Sequence, residues 1–138
     1  MELLSRADEF KQCTEILEKH INEVYAVRGC AYYIAMAISM ELKAFIYLNG
    51  LEYPQLNNIQ KLLNMIRENT IPIEADLSDL MEDMSDTLSL WTNSEVDFVS
   101  FTSRKFNRAK VIYQWLRDKN EQLMCPKGIT ANSNDFAV

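Results

Sequence analysis

The chain has 138 residues, 48% of them hydrophobic, and a formal net charge of −6. That length suits one domain and leaves no room for two independent cores; folding should remove about two thirds of the accessible surface, enough for a core without metal or disulfide staples. No apolar run reaches the ~18 residues of a membrane span, since the longest candidate, Ala31 to Leu48, is interrupted by Ser39, Glu41 and Lys43.

The N-terminus carries Glu2, Asp8 and Glu9 where an export signal would carry a basic and then an apolar region. Cys13, Cys30 and Cys125 cannot all pair and show no metal-binding spacing, so a cytoplasmic location is expected. The first helix is predicted from about Leu3 to Val24, with Phe10, Cys13, Ile16, Leu17, Ile21 and Val24 on one face. Arg28-Gly29 reads as a break before a second helix, Cys30 to Leu48, apolar nearly all round and closed by Asn49-Gly50. A third follows from Leu56 to Glu68 and a fourth from about Ile73 to Trp91, whose seam is Ile73, Leu77, Leu80, Met84, Leu88 and Trp91. Ser94, with Asp97 three residues on, should open a fifth helix of about 28 residues reaching Leu123. The expected fold is all-α, an antiparallel up-and-down bundle of about five helices over residues 1–124, with 125–138 as a mobile tail.

Catalytic patterns are scarce. His20 is the only histidine, and no serine or cysteine nucleophile stands near it in an obvious arrangement. Asp76, Asp79, Asp83 and Asp86 share one face of helix 4, where they could bind a hard cation, but no Glu-x-x-His pair accompanies them. The simpler expectation is a solvated face, with no metal and no cofactor. Phosphate-cradling glycine loops and zinc motifs are absent.

Charge placement says more. From Glu68 to Asp97 there are nine acids and no lysine or arginine, whereas Arg104 to Lys119 holds six bases and one acid, Asp118. If helices 4 and 5 are neighbours, they complement each other; alternatively Arg104, Lys105, Arg108 and Lys110 form a phosphate- or partner-binding patch.

Ala31-Tyr32-Tyr33, the run Leu42-Lys43-Ala44-Phe45-Ile46-Tyr47-Leu48-Asn49-Gly50, then Pro54, Ile59 and Leu62-Leu63 together resemble the HEPN family (higher eukaryotes and prokaryotes nucleotide-binding domains). The motif content lies between Ala31 and Leu63, and helix order and length agree from about Ser5 to Gln122. Asn57 and Asn58 stand where that family often has His-Asp, and Ser39 where it commonly has a glutamate. The ribonuclease motif of active members, an arginine followed after four to six residues by a histidine, has no version here: residues 13 to 15 before His20 are Cys, Thr and Glu, and nothing downstream of Arg104 or Arg108 is histidine. RNA cleavage would therefore lack its acid/base.

What the resemblance implies is a non-catalytic binding or regulatory component of a prokaryotic nucleotidyltransferase, defence or stress system, with nucleotide or RNA as possible ligands. Two rival readings are an acidic interaction protein, like a phage-type inhibitor, covering a basic partner surface, and a divergent nucleotide-processing enzyme using Lys105, Arg108 and acids of helix 4. Phe98, Phe106, Tyr113 and Trp115 surround helix 5 and should leave a second apolar surface, which predicts a homodimer; the resemblance agrees, because HEPN-like domains commonly dimerise.

Overall fold

The computed structural model describes residues 1–92 and 100–125. Among them are five α-helices and no strand: α1 Glu2–Glu18, α2 Val24–Leu48, α3 Ile59–Glu68, α4 Ala75–Trp91 and α5 Ser103–Met124. The expected helical bundle is present. Ser94, Asp97, Phe98 and residues 126–138, the bulk of the expected tail, lie outside the described residues.

α2 is the axis. Its positions 34 to 46 are all buried, and it touches each of the other four helices. By length and composition it would pass as a membrane-crossing helix, although 78% of its most apolar stretch is buried inside the bundle, as befits a core helix. Ser39, Glu41 and Lys43 interrupt its run of apolar residues. All three are buried.

The break between the first two helices falls earlier than expected. α1 ends at Glu18, a tight turn follows through the His20 N–H to Leu17 carbonyl bond, and α2 already starts at Val24. Gly29 lies inside α2. A Cβ there would come within 2.3 Å of Leu17 Cδ1, so this glycine permits close approach of α1 rather than ending a helix. The apolar face of α1 is correspondingly shorter: Leu3, Leu4 and Ala7 are buried, whereas Ile16, Ile21 and Val24 are exposed.

Two helices end in the same hydrogen-bonded cap. After α2, Gly50 N–H donates to Tyr47 O and Leu51 N–H to Ile46 O; after α3, Thr70 N–H donates to Arg67 O and Ile71 N–H to Ile66 O. This pairing satisfies the last carbonyls and needs a left-handed residue between, supplied by Gly50 at φ 90° and Thr70 at φ 50°. Side chains cap the starts of α3 and α5, where Asn58 accepts from the Lys61 N–H and Thr102 from the Lys105 N–H.

Contacts between helices give their directions. Phe10 stacks on Tyr33 and the Cys30 thiol reaches Thr14 O, so α1 and α2 are antiparallel. Arg67 pairs with Glu82 across α3 and α4, and Asp83 and Glu74 pair with Arg108 and Lys119 across α4 and α5. α3 is the exception to strict alternation. Asn57, just ahead of its cap, sits beside Ser39 and Lys43, because the connection 49–58 doubles back along α2 before α3 begins.

α5 is shorter than expected. Thr102 is extended, at φ −131° and ψ 156°, so a continuous helix reaching back to Ser94 is ruled out. Phe101 lies outside the helix and links Trp91 to Phe106, with ring centroids 5.3 and 5.5 Å apart.

Candidate functional site

Polar residues inside an apolar helix cost free energy unless partnered, and the three on α2 find partners on two opposite sides. Glu41 is fully buried, with 0% exposure. Its Oε2 accepts from Arg117 at 2.7 Å and its Oε1 from the Asn120 amide at 2.8 Å, while that amide also donates to the Glu41 carbonyl at 2.9 Å. Arg117 further donates to Leu4 O at 2.9 Å and pairs with Asp8 at 2.7 Å, and the Tyr113 hydroxyl donates to Asp8 at 3.2 Å. One arginine thus ties α1, α2 and α5 together. Burial pushes the Glu41 carboxyl up, against the Asn120 hydrogen bond and the Arg117 charge that pull it down. Burial likewise pushes the Tyr113 phenol up. Asn120 Oδ1 is buried without a hydrogen-bond partner among the described residues.

On the other side Lys43, 6% exposed, donates to Asn57 Oδ1 at 2.6 Å, and the Ser39 hydroxyl faces the Asn57 carbonyl at 3.5 Å. Burial lowers the Lys43 ammonium pKa, and the nearby Arg6 charge lowers it further. Ser39 and Asn57, two of the positions at which the sequence departs from the HEPN pattern, are therefore neighbours in space. Asn58, the third, caps α3.

Two of the four basic residues expected to form a patch are held in ion pairs with different helices. Arg108 pairs with Asp83 of α4 at 2.6 Å, whereas Lys110 pairs with Glu18 of α1 at 2.8 Å and lies 4.6 Å over the Phe106 ring. Arg104 is exposed and Lys105 half-buried. Helices 4 and 5 complement each other as neighbours, and Lys119 and Arg67 add further pairs to Glu74 and Glu82.

Of the four aromatic residues expected at a dimer interface, Phe106 and Tyr113 are each 4% exposed and pack within their own chain. Trp115 is 39% exposed, beside Val111 one turn away. The burial of Phe106 and Tyr113 has a physical cause: α5 contacts both α2 and α4, and its Tyr113 and Arg117 also reach Asp8 of α1, so more than one face is buried.

His20 is exposed in the α1–α2 turn. Among the described residues no group of three His, Cys, Asp or Glu side chains is placed to hold a metal ion. Cys30 is buried against α1, its thiol pushed up to about 11 by desolvation, which leaves it unreactive. The Glu41 network and the Lys43–Asn57 pair were missed from sequence, although polar residues at 39, 41 and 43 of an otherwise apolar helix were their signal.

Comparison with protein-family models, with curated proteins and with solved structures found no match to this chain.

Proposed function

We propose that the chain is a non-catalytic, HEPN-like binding or regulatory component that works beside a nucleotidyltransferase or another defence or stress effector of a prokaryote, and that it engages this effector by protein contact. The observation that carries the reading is an apolar corner where α1 meets α2: Ile16, Ile21, Val24 and Tyr25 are 61, 38, 63 and 59% exposed. Four large apolar side chains within ten positions form the kind of surface that marks an interface. The use of charge supports it too, since Arg108 and Lys110 are spent inside the chain, which weakens the case for a basic groove holding RNA.

Co-expression with the product of an adjacent nucleotidyltransferase or effector gene tests the reading. A complex should co-elute on size exclusion, and Tyr25→Glu should release the partner while the far-ultraviolet dichroism stays helical. No complex, or one indifferent to Tyr25→Glu and Val24→Glu, would refute it. A homodimer through Val111 and Trp115 belongs to the same proposal. Acidic docking is the second reading, favoured by Asp76, Asp79 and Asp86, exposed acids of α4 without an ion pair among the described residues. It predicts a complex that dissociates in salt and survives Tyr25→Glu.

A further inference from the structure

Trp115, Asp118, Lys119 and Gln122 follow one another at steps of three, one and three, which sets them on one face of α5. Across from them stand Glu74, the residue that precedes α4, and Asp76 in its first turn. These six side chains line one cleft of about 310 Å³. A second cleft, of about 460 Å³, adjoins it through Glu74, Lys119 and Gln122 and is walled by Pro72, Ile73 and Leu123. Together they make an apolar wall with a few polar groups gathered at one end, the build of a small-molecule site.

Charge is out of balance in the first cleft, where the carboxylates of Glu74, Asp76 and Asp118 share the space with one ammonium, that of Lys119. Lys119 pairs with Glu74 at 3.7 Å, the longest ion pair among the described residues. Asp118 accepts from the neutral Gln114 amide at 2.9 Å, so two negative charges are left over. Trp115 adds an attraction of another kind. Its side chain is 39% exposed, an indole holds a cation over its face better than any other side chain, and no cation of the described residues lies over it. The carboxylates do not converge as metal ligands, since among the described residues no group of three His, Cys, Asp or Glu side chains could hold an ion. Spread carboxylates beside an aromatic ring suit an extended cation with carbon between its charges.

We propose that this cleft binds an aliphatic diamine or polyamine. One ammonium group lies against the Trp115 ring beside Asp76 and Asp118, and the second reaches Glu74, which borders both clefts. A dication restores neutrality, and its methylene groups cover the indole. A longer polyamine continues over Pro72, Ile73 and Leu123. The site does not rest on the partner reading, because the corner of α1 and α2 shares no residue with it: Tyr25→Glu should leave binding intact. Val111 does not line it either, and Asp118→Asn, which keeps Trp115 in place, separates it from the homodimer strip.

Calorimetric titration of the purified chain at low ionic strength tests the proposal, with putrescine and spermidine as probes and with butylamine and magnesium chloride for comparison. One saturable site per chain is expected for both probes, tighter than for the monoamine or the metal ion. Asp76→Asn combined with Asp118→Asn, both exposed positions, should weaken binding about tenfold, the scale of two exposed ion pairs at low salt. Trp115→Leu should weaken it about threefold, the share of an exposed cation–π contact. Asp79→Asn combined with Asp86→Asn removes the same charge outside the cleft and should bind as the parent does. Absence of saturable binding, magnesium or butylamine binding as tightly as putrescine, or equal weakening by the two double variants would overturn it.

Discussion

Thr70 is the one non-glycine residue with positive φ among the described residues, and it is β-branched, the side-chain type least suited to that conformation. The cap after α3 needs the left-handed geometry, as the paired bonds to Arg67 O and Ile66 O show. Thr70→Gly should therefore stabilise the chain by roughly 0.5–1 kcal/mol, the relieved strain exceeding the added freedom of the unfolded glycine; urea unfolding would measure it. Glu41 is the opposite case. Removing it strands Arg117 and Asn120 in the interior, so Glu41→Ala should cost about 3–5 kcal/mol. Because burial raises the folded-state pKa of Glu41 above its ordinary carboxylate value, the folded chain holds this proton more tightly than the unfolded chain. Its contribution to stability is thus fully present below the unfolded pKa and lost as pH rises through the folded one. Compared with Glu41→Gln, the parent should gain relative stability as pH falls towards 4.5, and paired urea titrations across that range would check the sign.

At the scale of elements, α2 governs the fold. Ala35 and Ile38 are completely buried, and an unpaired carboxylate there costs several kcal/mol, comparable with the whole stability of a small domain. Ile38→Glu should abolish the cooperative helical signal in circular dichroism, and a folded variant would contradict this packing. The helix count, the apolar character of α2, the seam of α4 and the cap at Gly50 could all be read from sequence, because each leaves a local periodic or turn signal. The start of α2 could not. Val24 continues the period of α1 while Gly29 looks like a stop, and only the close approach of Leu17 shows why a glycine stands inside the helix. Nor could the site be located by counting bases, since Arg108 and Lys110 are committed by helices that lie far away in sequence, through Asp83 and Glu18. The meeting of Ser39, Lys43 and Asn57 depends on a connection that runs backwards, which no local pattern encodes.

Across the whole molecule, a net charge of −6 coexists with ion pairs that join α4 to α5, while Asp76, Asp79 and Asp86 stay exposed. Val111 and Trp115 form one exposed strip on α5. The homodimer proposed through it should give a mass of about twice 16.0 kDa in light scattering, and Trp115→Glu should lower that mass without loss of helicity. A mass of 16.0 kDa at every concentration would remove the dimer. The apolar corner of α1 and α2 carries the larger claim, that this chain acts by holding a protein partner. Amide hydrogen exchange on the purified complex with the effector, compared with the chain alone, tests it most directly. Protection is predicted for residues 16–28, around Ile16, Ile21, Val24 and Tyr25, with little change at the start of α5. Unchanged exchange across 16–28, with new protection around Arg104 and Lys105 instead, would contradict it.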